Sequence, residues 1–160
     1  MTNPCETLAR ILLQRHWMLA TAESCTGGMI AARCTDLAGS SAWFERGFVT
    51  YSNDSKRELL GVPAQWIASQ GAVSEAVARA MAQGAVSRST AQVALAVTGI
   101  AGPSGGSADK PVGTVWFAWA WPGHLESECR HWPGDRHAVR SQTTAYALTQ
   151  LIEKLERPVC

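Results

Sequence analysis

Short apolar runs alternate along this chain with stretches in which apolar residues recur every three or four positions, a pattern that predicts strands alternating with helices. Val93-Ala94-Leu95-Ala96-Val97 is apolar throughout, as a central strand covered on both faces must be. Met18 to Ala22 reads as the end of another buried strand, and Gly47 to Tyr51 alternates as a third. Thr114 to Trp121, the turn at Pro122-Gly123 and the return from Leu125 to Trp132 predict a hairpin.

Helical periodicity fills the intervals. Pro4 suits the first turn of a helix running to about His16, and Met29 to Leu37 forms a second. Ser52 or Asn53 starts a third, which stops at Gly61-Val62-Pro63; Pro63 to Gln70 is a short fourth. Ser74 caps an alanine-rich helix with Glu75 in its first turn, and a final helix spans roughly Asp135 to Leu155. The expected fold is α/β: one three-layer α/β/α domain over residues 1–160, with a mixed, mostly parallel sheet and a C-terminal hairpin and helix.

Composition narrows the function. The chain has 160 residues, 46% hydrophobic and 17% charged, enough for one core. A net charge of +1 and the absence of any run of like charges argue against nucleic acid or an anionic membrane as a partner. The apolar runs are too short to span a bilayer and the N-terminus has no basic-then-apolar leader, so a cytoplasmic protein is expected. Cys5, Cys25, Cys34, Cys129 and Cys160 form an odd set without a Cys-x-x-Cys pair, which fits reduced thiols. His16, His124, His131 and His137 lack ligand spacing, so no metal is expected. Trp116, Trp119 and Trp121 cannot share one face of a strand, so at least one face is expected to be exposed or buried against another subunit, and a homo-oligomer is the expectation.

Three segments carry candidate chemistry, and each follows a predicted strand. Ser24 lies at a strand-to-helix turn, where a side chain is exposed on a rigid support beside unpaired helix-opening amides. That arrangement suits a nucleophile next to an oxyanion site; it also suits a plain helix cap by Ser24 or Thr26, and Cys25 is a rival nucleophile. Lys56 falls in the first turn of its helix, where dipole and burial lower an amine's pKa and make it a base able to activate a hydroxyl. Its other reading is a solvated surface lysine. Tyr51, at the strand end, either bonds into the same site or plugs the sheet edge. Residues 98–113 form a Gly/Pro-rich loop, where Thr98-Gly99 and the following glycines let backbone approach a ligand. Neither a GxGxxG nor a Walker pattern is present, so no dinucleotide or ATP cofactor is expected.

The segments TAESCTGG (21–28), GSSAWFERGFVTYSNDSK (39–56), LLGV (59–62), GAVSEAVARAMAQGA (71–85), AVTGIAGPSGG (96–106) and KPVGTVWFA (110–118) resemble, in order, the CinA C-terminal domain family. Stand-alone members of that family are nicotinamide-nucleotide amidases. The resemblance implies hydrolysis of nicotinamide mononucleotide to nicotinate mononucleotide and ammonia by a metal-free and cofactor-free serine and lysine pair. It places the nucleophile on Ser24 and the base on Lys56, and matches Tyr51 to the family's Tyr-Ser-Asn-x-x-Lys pattern. In that scheme backbone amides of Thr26, Gly27 and Gly28, with Thr98 or Gly99, hold the oxyanion. Two sets of donors are available for the substrate phosphate: the glycines of residues 102–106, including Gly102 and Gly105, and Arg136 with Arg140. Two other readings stay open: a non-catalytic nucleotide-binding or regulatory module, and a serine amidase for another small amide.

Overall fold

A computed structural model describes residues 3–158; Cys160 lies outside them. Five strands form one sheet: β1 (Leu19–Glu23), β2 (Phe44–Val49), β3 (Val93–Gly99), β4 (Thr114–Trp121) and β5 (His124–His131). Their spatial order is β2-β1-β3-β4-β5. β1 pairs parallel with both β2 and β3, whereas β4 pairs antiparallel with β3 and β5. The sheet is mixed as expected, with its pairings divided evenly between the two kinds. Six helices accompany it: α1 (Pro4–Arg15), α2 (Met29–Thr35), α3 (Asn53–Leu60), α4 (Ala64–Gln70), α5 (Glu75–Ser87) and α6 (Arg136–Glu156).

The two faces of the sheet are built differently. Leu19, Leu95, Val97, Phe117 and Trp119 point to one side and meet Leu8 and Leu12 of α1, Ile30 of α2 and Leu148 and Leu151 of α6. Each such side chain, fully buried, contributes about 1.5–3 kcal/mol of transfer free energy. The other face is alanine: Ala20, Ala22, Ala94, Ala96, Ala118 and Ala120 lie against Ala78, Ala82 and Ala85 of α5. Small side chains on both partners bring α5 close to the strands. Gly84 extends that close packing to α3, since a Cβ there would lie 2.0 Å from the Leu60 carbonyl oxygen. The last residue of α3, the helix that carries Lys56 one turn earlier, is therefore held against α5.

The three tryptophans of β4 are accommodated within the chain. Trp119 and Trp121 are buried with α1 and α6, Trp119 donating from its indole nitrogen to the Ala147 carbonyl at 3.0 Å, and Trp116 is half-buried on the α5 side. They supply no reason for a second subunit. β2 begins three residues earlier than the alternation predicts and ends at Val49, so Tyr51 lies beyond the strand. No helix of the described residues is long and apolar enough to cross a membrane.

Candidate active site

Because β1, β2 and β3 are parallel, their carboxyl ends Glu23, Val49 and Gly99 reach the same edge of the sheet. The segments that follow them meet there, at the position where open α/β sheets bind ligands. A cavity of about 260 Å³ opens between them, lined among others by Ser24, Cys25, Tyr51, Asn53, Lys56 and Thr98, and by Gly99, Gly102, Gly105 and Arg136. All three segments singled out in the sequence contribute to it.

Lys56 Nζ lies 3.0 Å from Ser24 Oγ. Its other neighbours are the carbonyl oxygens of Thr50 at 2.9 Å and Tyr51 at 3.3 Å. Lys56 is 1% exposed and Ser24 8%. Among the described residues no carboxylate pairs with the lysine. Burial therefore holds its pKa below the usual lysine value, only slightly offset by nearby Cys25. A neutral amine has two hydrogens and one lone pair. With its two hydrogens on the two carbonyls, a neutral Lys56 would turn its lone pair to the serine hydroxyl. Local sequence explains the placement: Ser52 caps α3 by accepting from the Ser55 amide, and Lys56 follows one turn later. The carbonyls of Thr50 and Tyr51 have no side-chain signature, so the sequence could not reveal them.

The rival nucleophile is disfavoured by its surroundings. Burial pushes the Cys25 thiol up to about 12, which leaves almost no thiolate near neutral pH.

The turn after Ser24 differs from the expected oxyanion site. Gly27 and Gly28 have φ of 59° and 108°, a left-handed path that favours glycine. Their amides, however, already have acceptors, Gly27 N donating to the Ser24 carbonyl at 3.1 Å and Gly28 N to Glu23 Oε1 at 3.2 Å. Thr26 Oγ1 also donates to Glu23 Oε1, at 2.6 Å. Neither Ser24 nor Thr26 caps α2; Gly28 stands at the cap position with no side-chain cap of its own.

Other expected residues take up more specific places. Thr98 lines the cavity, but its hydroxyl donates to the Ala72 carbonyl at 2.9 Å. Tyr51 meets Lys56 through its carbonyl, while its ring is 60% exposed and its hydroxyl accepts from Arg136 Nη2 at 2.9 Å. Arg136 Nη1 donates to the Gly102 carbonyl at 2.9 Å, so Tyr51, Arg136 and the glycine loop form one rim. Arg140 does not line the cavity and shares no site with Arg136. It donates to the carbonyls of Cys25 at 3.0 Å and Thr26 at 3.2 Å, which makes it a support of the turn that bears Ser24. Among the described residues no group of three His, Cys, Asp or Glu side chains could hold a metal ion.

A profile described as the CinA C-terminal domain matches residues 2–155. The chain belongs to the CinA C-terminal domain family. Within that family it is 54% identical over 149 residues to the nicotinamide-nucleotide amidohydrolase PncC of Escherichia coli K12, covering 91% of this chain and 89% of that protein. The protein of the same name from Pseudomonas putida is 52% identical over 155 residues, covering 94% and 97%. A CinA-like protein of Geobacter sulfurreducens is 52% identical over 148 residues, but the match covers only 36% of its length. Among solved CinA structures, competence damage-inducible protein A from Klebsiella pneumoniae superposes with a TM-score of 0.91 at 43% identity, covering 96% of this chain and 98% of that one. The competence/damage inducible protein from Agrobacterium tumefaciens gives 0.90 at 46% identity, covering 98% of both.

Proposed function

We propose that this chain is an amidohydrolase that converts nicotinamide mononucleotide to nicotinate mononucleotide and ammonia, with Ser24 as nucleophile and Lys56 as general base. The observation that carries the reading is the buried amine 3.0 Å from the serine hydroxyl and within hydrogen-bond distance of two carbonyls. The names of the relatives from Escherichia coli and Pseudomonas putida supply the substrate.

In the first half-reaction Ser24 Oγ attacks the carboxamide carbon while Lys56 Nζ takes the hydroxyl proton. The carbonyl oxygen becomes an oxyanion held by backbone amides, each donor contributing about 3–4 kcal/mol. Lys56 then returns its proton to the amide nitrogen, the C–N bond breaks and ammonia leaves an acyl ester on Ser24. In the second half-reaction water gives a proton to Lys56 and attacks the ester. Collapse of that intermediate returns the proton to Ser24 Oγ and releases the carboxylate.

The remaining parts of the cavity suit the nucleotide. Arg136 and the backbone of Gly102 to Gly105 lie on the rim, where a phosphate would reach solvent-facing donors. Arg140 is withdrawn from that set because its contacts are the carbonyls of the turn.

Ammonia release from nicotinamide mononucleotide by the purified chain tests the reading, run beside Ser24→Ala and Lys56→Ala. The expected result is turnover by the wild type and a loss of at least about a thousandfold in each folded variant. Near-full activity in either variant would remove the dyad. Faster turnover of free nicotinamide or another small amide would keep the dyad and change the substrate.

A further inference from the structure

Glu23 is the last residue of β1, is fully buried, and forms no ion pair among the described residues. A carboxylate in that position needs hydrogen-bond donors. It receives four: Thr26 Oγ1 at 2.6 Å, Gly28 N at 3.2 Å and Ile30 N at 2.9 Å on Oε1, and Ala31 N at 3.0 Å on Oε2. The positive end of α2, which would otherwise attract an external anion, is thus filled by the protein's own side chain.

The amides after Ser24 can be accounted for one by one. Gly27 donates to the Ser24 carbonyl, Met29 to the Thr26 carbonyl and Ala32 to the Gly28 carbonyl, while Gly28, Ile30 and Ala31 donate to Glu23. Among the described residues, the amides of Cys25 and Thr26 donate to no other residue. Peptide planarity then sets their direction, because N–H and C=O of one trans peptide point opposite ways. The Ser24 carbonyl is turned toward Gly27 N and the Cys25 carbonyl toward Arg140 Nε, so the Cys25 and Thr26 amides point the other way. An amide on the residue after a nucleophilic serine is where an acyl-transfer site places an oxyanion donor.

The same glutamate is rigid from its main-chain side. It pairs with Val49 and Val97 across the sheet, and its carbonyl accepts from Thr50 N at 2.8 Å. Thr50 in turn presents its own carbonyl to Lys56. The turn bearing Ser24 is therefore tied at its start by the sheet and at its end by the Glu23 carboxylate.

We propose that Glu23 is a positioning residue: by occupying the N-terminus of α2 and tying Thr26 back to β1, it reserves the amide of Cys25, which lines the cavity beside Ser24, as an oxyanion donor. This rests on the acyl-transfer reading above. It differs from a plain helix cap in what its loss would damage. A cap affects folding alone, whereas a positioning residue affects the transition state in molecules that remain folded.

The test uses the full chain with Glu23→Gln, Thr26→Val and Thr26→Ser. Folding is followed by circular dichroism and thermal melts. Each variant is assayed for kcat and KM on nicotinamide mononucleotide, and for the rate at which a small fluorophosphonate reagent labels Ser24. Folded Glu23→Gln should lose at least about tenfold in both kcat and labelling rate, with KM within about threefold of wild type. Thr26→Val should fall in the same direction and Thr26→Ser should recover most of the loss. Folded Glu23→Gln with kcat and labelling within about twofold of wild type overturns the proposal, as does a rise in KM at unchanged kcat. Should Glu23→Gln fail to fold, the contrast between Thr26→Val and Thr26→Ser decides by the same criteria. Wild type left unlabelled at Ser24 overturns the acyl-transfer reading and this one with it. A labelled wild type beside unaffected variants overturns only the role of Glu23.

Discussion

Lys56 Nζ and Ser24 Oγ are 3.0 Å apart across 32 residues of sequence, and the lysine lies among carbonyl oxygens with no carboxylate of the described residues beside it. A carboxylate neighbour would hold the amine charged; carbonyl acceptors satisfy the neutral form equally well, and burial then favours it. That difference is what the proposed role of Lys56 as a base rests on.

The pH profile should follow from it. Burial places the Lys56 pKa below the usual lysine value, so kcat/KM should rise with pH through that lowered pKa as the base loses its proton. A pH–rate profile flat across the whole range from mild acid to alkali would contradict a lysine base.

Stability carries the opposite cost. Between the lowered folded pKa and the higher unfolded one, the unfolded chain binds more protons at Lys56, so stability rises with pH in that window. Below the folded value the penalty is fully present. Lys56→Met removes the charge penalty but also the hydrogen bonds to the Thr50 and Tyr51 carbonyls, so its Tm should gain on wild type most at low pH, where the penalty is fully present. It should also flatten the alkaline rise. Thermal melts of both proteins across pH measure this.

Tyr51 and Arg136 should act on binding more than on chemistry, because the tyrosine hydroxyl meets Arg136 and only the backbone of Tyr51 meets Lys56. Tyr51→Phe is expected to leave kcat within about threefold, and Arg136→Gln to raise KM by about tenfold or more. Steady-state kinetics on the two variants checks the division.

Gly84→Ala should destabilise the chain by about 1–3 kcal/mol, since a Cβ there meets the Leu60 carbonyl at 2.0 Å and α5 is packed too closely to yield. Lys56 lies on the same helix one turn before Leu60, so activity per folded molecule should fall as well. Urea unfolding followed by kinetics on the folded fraction separates the two effects.

Much of the fold was legible because buried strands and amphipathic helices leave different periods. The run Val93 to Val97 is the central β3, and the helix expected to be alanine-rich is α5, whose alanines pack on the strands beneath it. β2 was placed late because it is an edge strand whose polar Glu45 and Arg46 interrupt the alternation. The tryptophans of β4 suggested a partner surface because a sequence does not show that both faces of a strand are covered by helices of the same chain.

The residue types of the site were also legible, since serine, lysine and glycine at strand ends have few other reasons to recur together. Their hydrogen-bond partners were not. Arg140 and Arg136 share a helix face at four-residue spacing, yet one supports the turn and the other the rim. Which amides remain free after Ser24 depends on where the Glu23 carboxylate reaches.

Sequence by itself therefore determined the elements, the layered α/β class and the candidate nucleophile and base, because local period and residue chemistry are properties of neighbours along the chain. Tertiary structure alone decided the lysine's carbonyl neighbours, the burial of Cys25 and the acceptors of the glycine amides. Those depend on backbone groups that every residue carries, and only the folded chain determines which of them meet.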